Sequence, residues 1–346
     1  MKITVHSRDA RHEFSAEANK SLLVAGLGGG VSLPYACASG TCGTCKARVR
    51  SGSVEDLWPT APGKKGFRDQ DQILLCQCAP RSDCVLEVAE TVHNAVPESV
   101  QPFVARGIIA RWELLTHDVA SWDILLDSPM NYEAGQFVLV SIPGLDGYRA
   151  YSIVNFERDS RRIELLIKKK PDGALSAALF GNDPVGTSVS VVGPLGQAVF
   201  APAEQKNLLC ISGGSGVAGM MSMLSRASSL SYFLGRSGHF FFGVRSTRDA
   251  FFLERLAELG RASGTALEIV ICLSDEAVPG ELVEHHPELS FEQGCVHEVA
   301  LKRMAGRLSE VHAFLAGPPP AVDAAMRGLI LQGKLSPKSI SFDKFN

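Results

Sequence analysis

The chain has 346 residues, a formal net charge of −3 and a sequence pI near 6.3. At roughly 150 residues per domain that length allows two or three domains, and the near-neutral balance argues against nucleic-acid binding, which usually shows as a basic domain. Apolar residues make up 45% of the chain, yet no run approaches the roughly 18 residues of a membrane span, and the N-terminus lacks a secretory apolar stretch.

Residues 1–93 read as a small α+β unit. Ile3-Thr4-Val5-His6 and Arg11-His12-Glu13-Phe14 form a candidate hairpin. Ser21 to Leu27 is a short candidate helix stopped by the glycines Gly28, Gly29 and Gly30. Then comes Cys37-Ala38-Ser39-Gly40-Thr41-Cys42-Gly43-Thr44-Cys45. This is C-x4-C-x2-C, with further cysteines some thirty residues on, the spacing of plant-type [2Fe–2S] sites. Two irons need four thiolates, and the small residues between them let backbone N–H groups approach the sulfurs. A four-cysteine zinc site or a disulfide set is the alternative. Zinc usually pairs one C-x2-4-C with another, and Cys76-Gln77-Cys78 is too short for that. Lys46 to Arg50 is an alternating strand, and residues 85–88 are expected to close the sheet.

These residues resemble the plant-type ferredoxin family, which implies a β-grasp fold. The resemblance also chooses the fourth ligand. In the family it lies four residues before a proline, and counting back from Pro80 gives Cys76. The metal ligands are then Cys37, Cys42, Cys45 and Cys76, with Cys78 a neighbouring thiol and Cys84 a core-facing strand residue. The other cysteines, Cys210, Cys272 and Cys295, have no framework spacing. The odd total of nine favours a reducing compartment, and so a cytoplasmic location. Eleven Lys/Arg against ten Asp/Glu in residues 1–93 imply docking with little long-range steering.

Residues 94–101, with Pro97 inside, read as a linker. Short strands follow from residue 102 to 202, around Phe103, Trp122, Phe137, Ile163 and Ser188, punctuated by Gly and Pro. That pattern predicts a small antiparallel barrel. After Gly147 stands Arg149-Ala150-Tyr151-Ser152, placed before a strand. Gly173-Ala174-Leu175-Ser176 is a turn entering a helix, and Gly193-Pro194-Leu195-Gly196 follows a later strand. Together these resemble the flavin site of the ferredoxin–NAD(P)+ reductase superfamily. The resemblance implies FAD, with Arg149 on the pyrophosphate, where its planar fork suits phosphate. It places Tyr151 against the isoalloxazine and the Ser152 hydroxyl near N5, and gives Gly173 and Ser176 to the pyrophosphate at a helix N-terminus.

Residues 203–346 alternate strand and helix, which predicts a doubly wound parallel α/β domain. Gly214-Ser215-Gly216-Val217-Ala218-Gly219 is a literal G-x-G-x-x-G after a strand. The ordinary fingerprint adds an acidic residue about 20 positions on, and none occurs between Glu204 and Asp249. The stretch, with Gly213 before it, instead resembles the superfamily's nicotinamide loop, with Gly219 where proline is common and a looser turn expected. Phe242-Gly243-Val244-Arg245, Ser274 and Ala316-Gly317-Pro318-Pro319 extend the resemblance. Ala316 stands where relatives carry cysteine, and Phe345 matches an aromatic near the C-terminus that is expected to shield the flavin.

The domain order resembles the one-chain reductases of bacterial oxygenases, and the stretch 57–63 resembles those of toluene monooxygenases. The implied activity passes electrons from NADH through FAD and the [2Fe–2S] cluster to a non-haem iron oxygenase or its Rieske ferredoxin, in aromatic or hydrocarbon oxidation. Tyr151, Ser152 and Phe345 would surround the hydride transfer. Asp275 and Glu276 after Ser274 would repel a 2′-phosphate, favouring NADH over NADPH. Other acceptors, a deoxysugar dehydratase or a quinone, remain open, as does a redox sensor. No nucleic acid or membrane partner is expected.

Overall fold

The computed structural model describes residues 1–18, 20–94, 100–171 and 173–345. Most of the expected linker 94–101 lies outside the described residues. The chain divides into two compact units: Met1–Arg106 with Val138–Ala150 and Ser188–Leu195, and Gly107–Phe137 with Tyr151–Thr187 and Gly196–Asn346. The barrel segment thus contributes strands to both. Among the described residues no helix is long and apolar enough to cross a membrane.

The first unit is built on a five-stranded sheet, in the order Arg11–Ser15, Lys2–His6, Cys84–Glu87, Lys46–Ser51, Gln72–Leu74. Lys2–His6 and Cys84–Glu87 run parallel, and the other pairs antiparallel. The strand expected to close the sheet therefore lies at its centre. Along Arg11–Ser15, His12 and Phe14 are buried while Arg11, Glu13 and Ser15 face solvent, the period-two pattern of a half-buried strand. The helix Leu22–Gly28 buries its first five residues and begins at Ser21, whose Oγ accepts from Val24 N at 3.3 Å. That N-cap satisfies a donor the helix cannot. One helix across a mixed sheet is the β-grasp arrangement. The same unit holds the neighbouring strands Phe137–Ser141 and Ser188–Leu195, and the start of Arg149–Ser152 beside the former. The string Arg149-Ala150-Tyr151-Ser152 is thus itself a strand.

In the second unit the strand Phe103–Leu114, from Gly107 on, pairs antiparallel with Val119–Met130, which pairs with Ser160–Lys168. Trp122, Ile124 and Leu126 point inward from the middle strand. The nucleotide half is a wholly parallel sheet, in the order Ser290–Gln293, Leu267–Leu273, Gly238–Val244, Asn207–Gly213, Val311–Gly317, Ile340–Lys344. Both faces are covered, so its four central strands are chiefly apolar, while the edge strands Ser290–Gln293 and Ile340–Lys344 are only partly buried. Leu208, Cys210, Phe240 and Phe242 enter one core with the helices Val217–Ser229 and Leu253–Ser263; Leu209, Ile211 and Phe241 enter the other with Val296–Arg303 and Pro319–Leu331. The helix Leu253–Ser263 begins only after Phe251 and Phe252. Phe252 takes φ 63°, outside the helical region, and Phe251 instead packs edge-on to Phe242 at 5.4 Å.

Candidate redox and nucleotide sites

Cys37, Cys42 and Cys45 lie on one tightly folded loop. Ala38, Gly40 and Gly43 adopt φ of 51°, 86° and 78°, the left-handed region that favours glycine. A Cβ on Gly40 would meet Gln77 Cγ at 2.9 Å, and one on Gly43 would meet Gly63 O at 3.0 Å. Cys76 sits in the turn Leu75–Gln77, anchored by Leu75 N donating to Cys45 O at 2.9 Å. This brings Cys45 Sγ and Cys76 Sγ to 3.2 Å. Ser39 N donates to Cys37 Sγ and Thr44 N to Cys42 Sγ, both at 3.4 Å.

The thiols fall into two pairs. The Cys42 thiol beside Cys37 lowers it to about 4, and Cys42 is raised in return. The Cys76 thiol lowers Cys45, and Cys76 is pushed up by that partner and by burial. Each pair therefore shares a proton that two iron-bound thiolates would release. Four free thiols with backbone N–H groups on two of them fit a [2Fe–2S] cluster. Cys78 is fully buried in the strand Cys78–Pro80 and pushed up to about 12, chiefly by burial. Sequence reasoning passed over Gln77. Its buried Nε2 donates to Cys76 Sγ at 3.7 Å, and nothing in a Cys-x-Cys spacing marks such a contact.

The flavin string is split by its environment. Arg149 is partly exposed, and its Nη1 donates to Tyr148 O at 3.1 Å and Asp146 O at 3.3 Å. Its guanidinium lies over the Trp58 ring, 5.8 Å from the centroid, a contact absent from the sequence expectations. In the second unit Tyr151 meets Trp122 edge-on at 5.3 Å, and Ser152 is 5% exposed. Gly173 caps the helix Ala174–Gly181. The Ser176 hydroxyl donates to Gly173 O at 2.9 Å and accepts from Lys170 N at 3.1 Å, so it first serves its own loop. A planar cation, a half-buried phenol and a glycine-capped helix start are donors suited to a flavin nucleotide.

The nicotinamide motifs converge where the strand order of the parallel sheet reverses, between Asn207–Gly213 and Val311–Gly317. Open α/β sheets bind ligands in the crevice at such a point. Gly214 takes φ 54° in the turn Gly214–Gly216, and Gly317 takes φ 142°. A Cβ on Gly216 would lie 2.5 Å from Ala316 O, and one on Gly317 would lie 3.1 Å from Gly213 O. Only bare backbone fits there, and the start of the helix Val217–Ser229 beside it is a place suited to a pyrophosphate. Pro318 caps the helix Pro319–Leu331 beside Gly213. Gly219 does not loosen the turn, because it lies buried inside the helix Val217–Ser229. A Cβ there would make only ordinary contacts, 3.7 Å from Gly135 O and 3.8 Å from Ser152 Cβ.

Arg245 is exposed and follows the strand Gly238–Val244, while Ser274 N donates to Val244 O at 3.1 Å at the end of the adjacent strand. Ser274 Oγ donates to the exposed Asp275 at 2.6 Å, whereas Glu276 accepts from Thr247. Phe345 N donates to Gly317 O at 3.0 Å, and its ring packs on the core that contains Ala316. Asp343, level with Ala316 across the sheet, is raised to about 7 by burial.

Three family models match in order: a 2Fe-2S iron-sulfur cluster binding domain over residues 5–81, an oxidoreductase FAD-binding domain over 107–200 and an oxidoreductase NAD-binding domain over 210–327. The chain is 34% identical to a ferredoxin–NAD(P)+ reductase of Metapseudomonas resinovorans, over 95% of each chain. It is 32% identical to the ferredoxin–NAD+ reductase component of an alkene monooxygenase system of Xanthobacter autotrophicus, over 96% and 97%. A xylene/toluene monooxygenase electron transfer component of Pseudomonas putida is 28% identical over 95% and 90%. Among solved structures, the ferredoxin reductase in carbazole 1,9a-dioxygenase superposes with TM-score 0.84 at 30% identity, over 100% and 99%. The chain therefore belongs to the three-domain ferredoxin–NAD(P)+ reductases, oxidoreductases that carry a [2Fe–2S] cluster and FAD and bind NAD.

Proposed function

We propose that this chain draws electrons from NADH and delivers them singly, through FAD and the cluster held by Cys37, Cys42, Cys45 and Cys76, to a non-haem iron oxygenase or its Rieske ferredoxin. The observation that carries this reading is that three free thiols of one glycine-shaped loop meet Cys76 Sγ, at 3.2 Å from Cys45 Sγ, in a chain whose parallel sheet also packs bare backbone at its switch point. Bound flavin accepts a hydride and gives up its two electrons one at a time, and the protein supplies binding and orientation. Gly213, Gly214, Gly216, Gly317 and Pro318 form the cradle for the dinucleotide pyrophosphate, and Arg245 and Ser274 flank it. Arg149 takes the flavin pyrophosphate, and Gly173 and Ser176 order the loop that enters the helix Ala174–Gly181. Tyr151, Ser152 and Phe345 position the rings and exclude water. The partner class is supported by relatives and a solved structure named as parts of oxygenase systems. A reducing cytoplasm suits nine free cysteines.

Purified protein should contain one FAD, two irons and two acid-labile sulfides per chain. Its flavin should bleach with NADH at a higher kcat/KM than with NADPH, because the exposed carboxylate of Asp275, next to Ser274, would repel a 2′-phosphate bound there. Protein with zinc and no labile sulfide would contradict the cluster reading; a preference for NADPH would contradict the cofactor assignment.

A further inference from the structure

The segment 57–63 is tied down at both ends. At one end Gly63 N donates to Gly40 O at 2.9 Å. A Cβ on Gly63 would lie 2.8 Å from both Gly40 O and Gly43 N, so Gly63 rests on the two glycines that shape the cysteine loop. At the other end the half-buried Trp58 ring faces the Arg149 guanidinium. The part between is pinned. Trp58 N donates to Asp56 Oδ1 at 3.1 Å, and Trp58 O accepts from Ala61 N at 3.1 Å and Lys64 Nζ at 2.9 Å. The same Lys64 pairs with Asp56, and its side chain is only 14% exposed.

An aromatic face suits this position for a physical reason. It attracts a guanidinium through the ring quadrupole, yet it leaves the positive charge unneutralised. A carboxylate there would hold Arg149 too, but would compete with a phosphate for it. The two carbonyls of Tyr148 and Asp146 steady the guanidinium from its own loop.

We propose that Trp58 is a positioning residue that couples the flavin-phosphate arginine to the cysteine loop, so that Arg149's hold on the pyrophosphate stays fixed relative to the cluster during electron transfer. The inference rests on the reading of Arg149 as the pyrophosphate ligand. In each transfer one electron leaves the NADH-reduced flavin and enters the oxidised cluster. No bond forms or breaks at the cluster, and the flavin releases its proton to solvent.

The test is anaerobic stopped-flow mixing of the holoenzyme with NADH, following flavin bleaching and cluster reduction as separate phases, with freeze-quench EPR for the cluster. Trp58→Leu keeps an apolar side chain, a smaller one, and removes the π-face. It should slow the cluster phase roughly two- to thirtyfold, the span of cation–π contacts, and leave the flavin phase unchanged. Trp58→Phe should recover most of the loss. Arg149→Lys keeps the charge, loses the planar face and leaves the segment 57–63 untouched; with saturating FAD it should show the same slowed phase. A wild-type cluster phase in either Trp58→Leu or Arg149→Lys overturns the proposal. The underlying reading fails differently: Arg149→Ala that binds FAD with unchanged affinity would remove Arg149 from the pyrophosphate.

Discussion

The cysteine loop and the nucleotide switch point solve opposite problems with the same residue. In the loop, Gly40 and Gly43 bend the backbone so that side chains can converge, and the chemistry lies in the sulfurs. At the switch point, Gly213, Gly216 and Gly317 clear side chains away, and the chemistry lies in backbone N–H groups and a helix start. The first site should therefore fail when a ligand atom is exchanged. The second should fail when volume is added.

The sharpest way to break that contrast is Cys76→Ser, which should lose nearly all iron and labile sulfide, whereas Cys78→Ser should retain both. Iron retained in the first variant and lost in the second would shift the ligand set by two residues. At the switch point, Gly216→Ala places a methyl 2.5 Å from Ala316 O. Overpacking of that kind costs about 1–3 kcal/mol. Calorimetric binding of NAD+ and the melting temperature should both fall, with iron content unchanged. Unaltered NAD+ affinity would show that the cradle is elsewhere.

The two sites also differed in how far the sequence exposed them. Cysteine spacing alone proposed the cluster, because ligand number and loop size leave little choice. The fourth ligand needed a family resemblance, since Cys76 and Cys78 are equivalent by spacing. Gln77 was invisible, because its contact to Cys76 depends on a side-chain direction set by the Leu75–Gln77 turn. In the nucleotide half the glycines were legible, but Gly219 was misread. A glycine inside the first turn of a helix looks in sequence like one that bends the turn before it. The strands Ser290–Gln293 and Ile340–Lys344, and the helices Gly280–His285, Val296–Arg303 and Pro319–Leu331, went unread because their apolar periodicity is short and their partners are remote in sequence.

Two smaller effects sharpen the comparison. Gln77→Met removes an N–H donor from a ligand sulfur, and such donors favour the more negative reduced cluster. The midpoint potential should fall, by about 59 mV if the oxidised-to-reduced ratio shifts tenfold, with iron content unchanged in EPR-monitored titration. An unmoved potential would confine Gln77 to packing. Asp343 is raised to about 7 by burial. Between the ordinary aspartate range and that value the folded state holds a proton that the unfolded state has lost, so stability should decline as pH rises through this window. Asp343→Asn should flatten the decline by on the order of 1 kcal/mol after solvent screening. A wild-type pH slope in the variant would contradict the assignment.

The division of labour between the two sites is tested most directly by Cys42→Ser under anaerobic single turnover with NADH. Flavin bleaching should proceed at the wild-type rate, with no EPR signal from a reduced cluster and no electrons delivered to a one-electron acceptor that accepts only from the cluster. Loss of flavin bleaching in that variant, or a reduced-cluster signal as strong as in the wild type, would contradict the account.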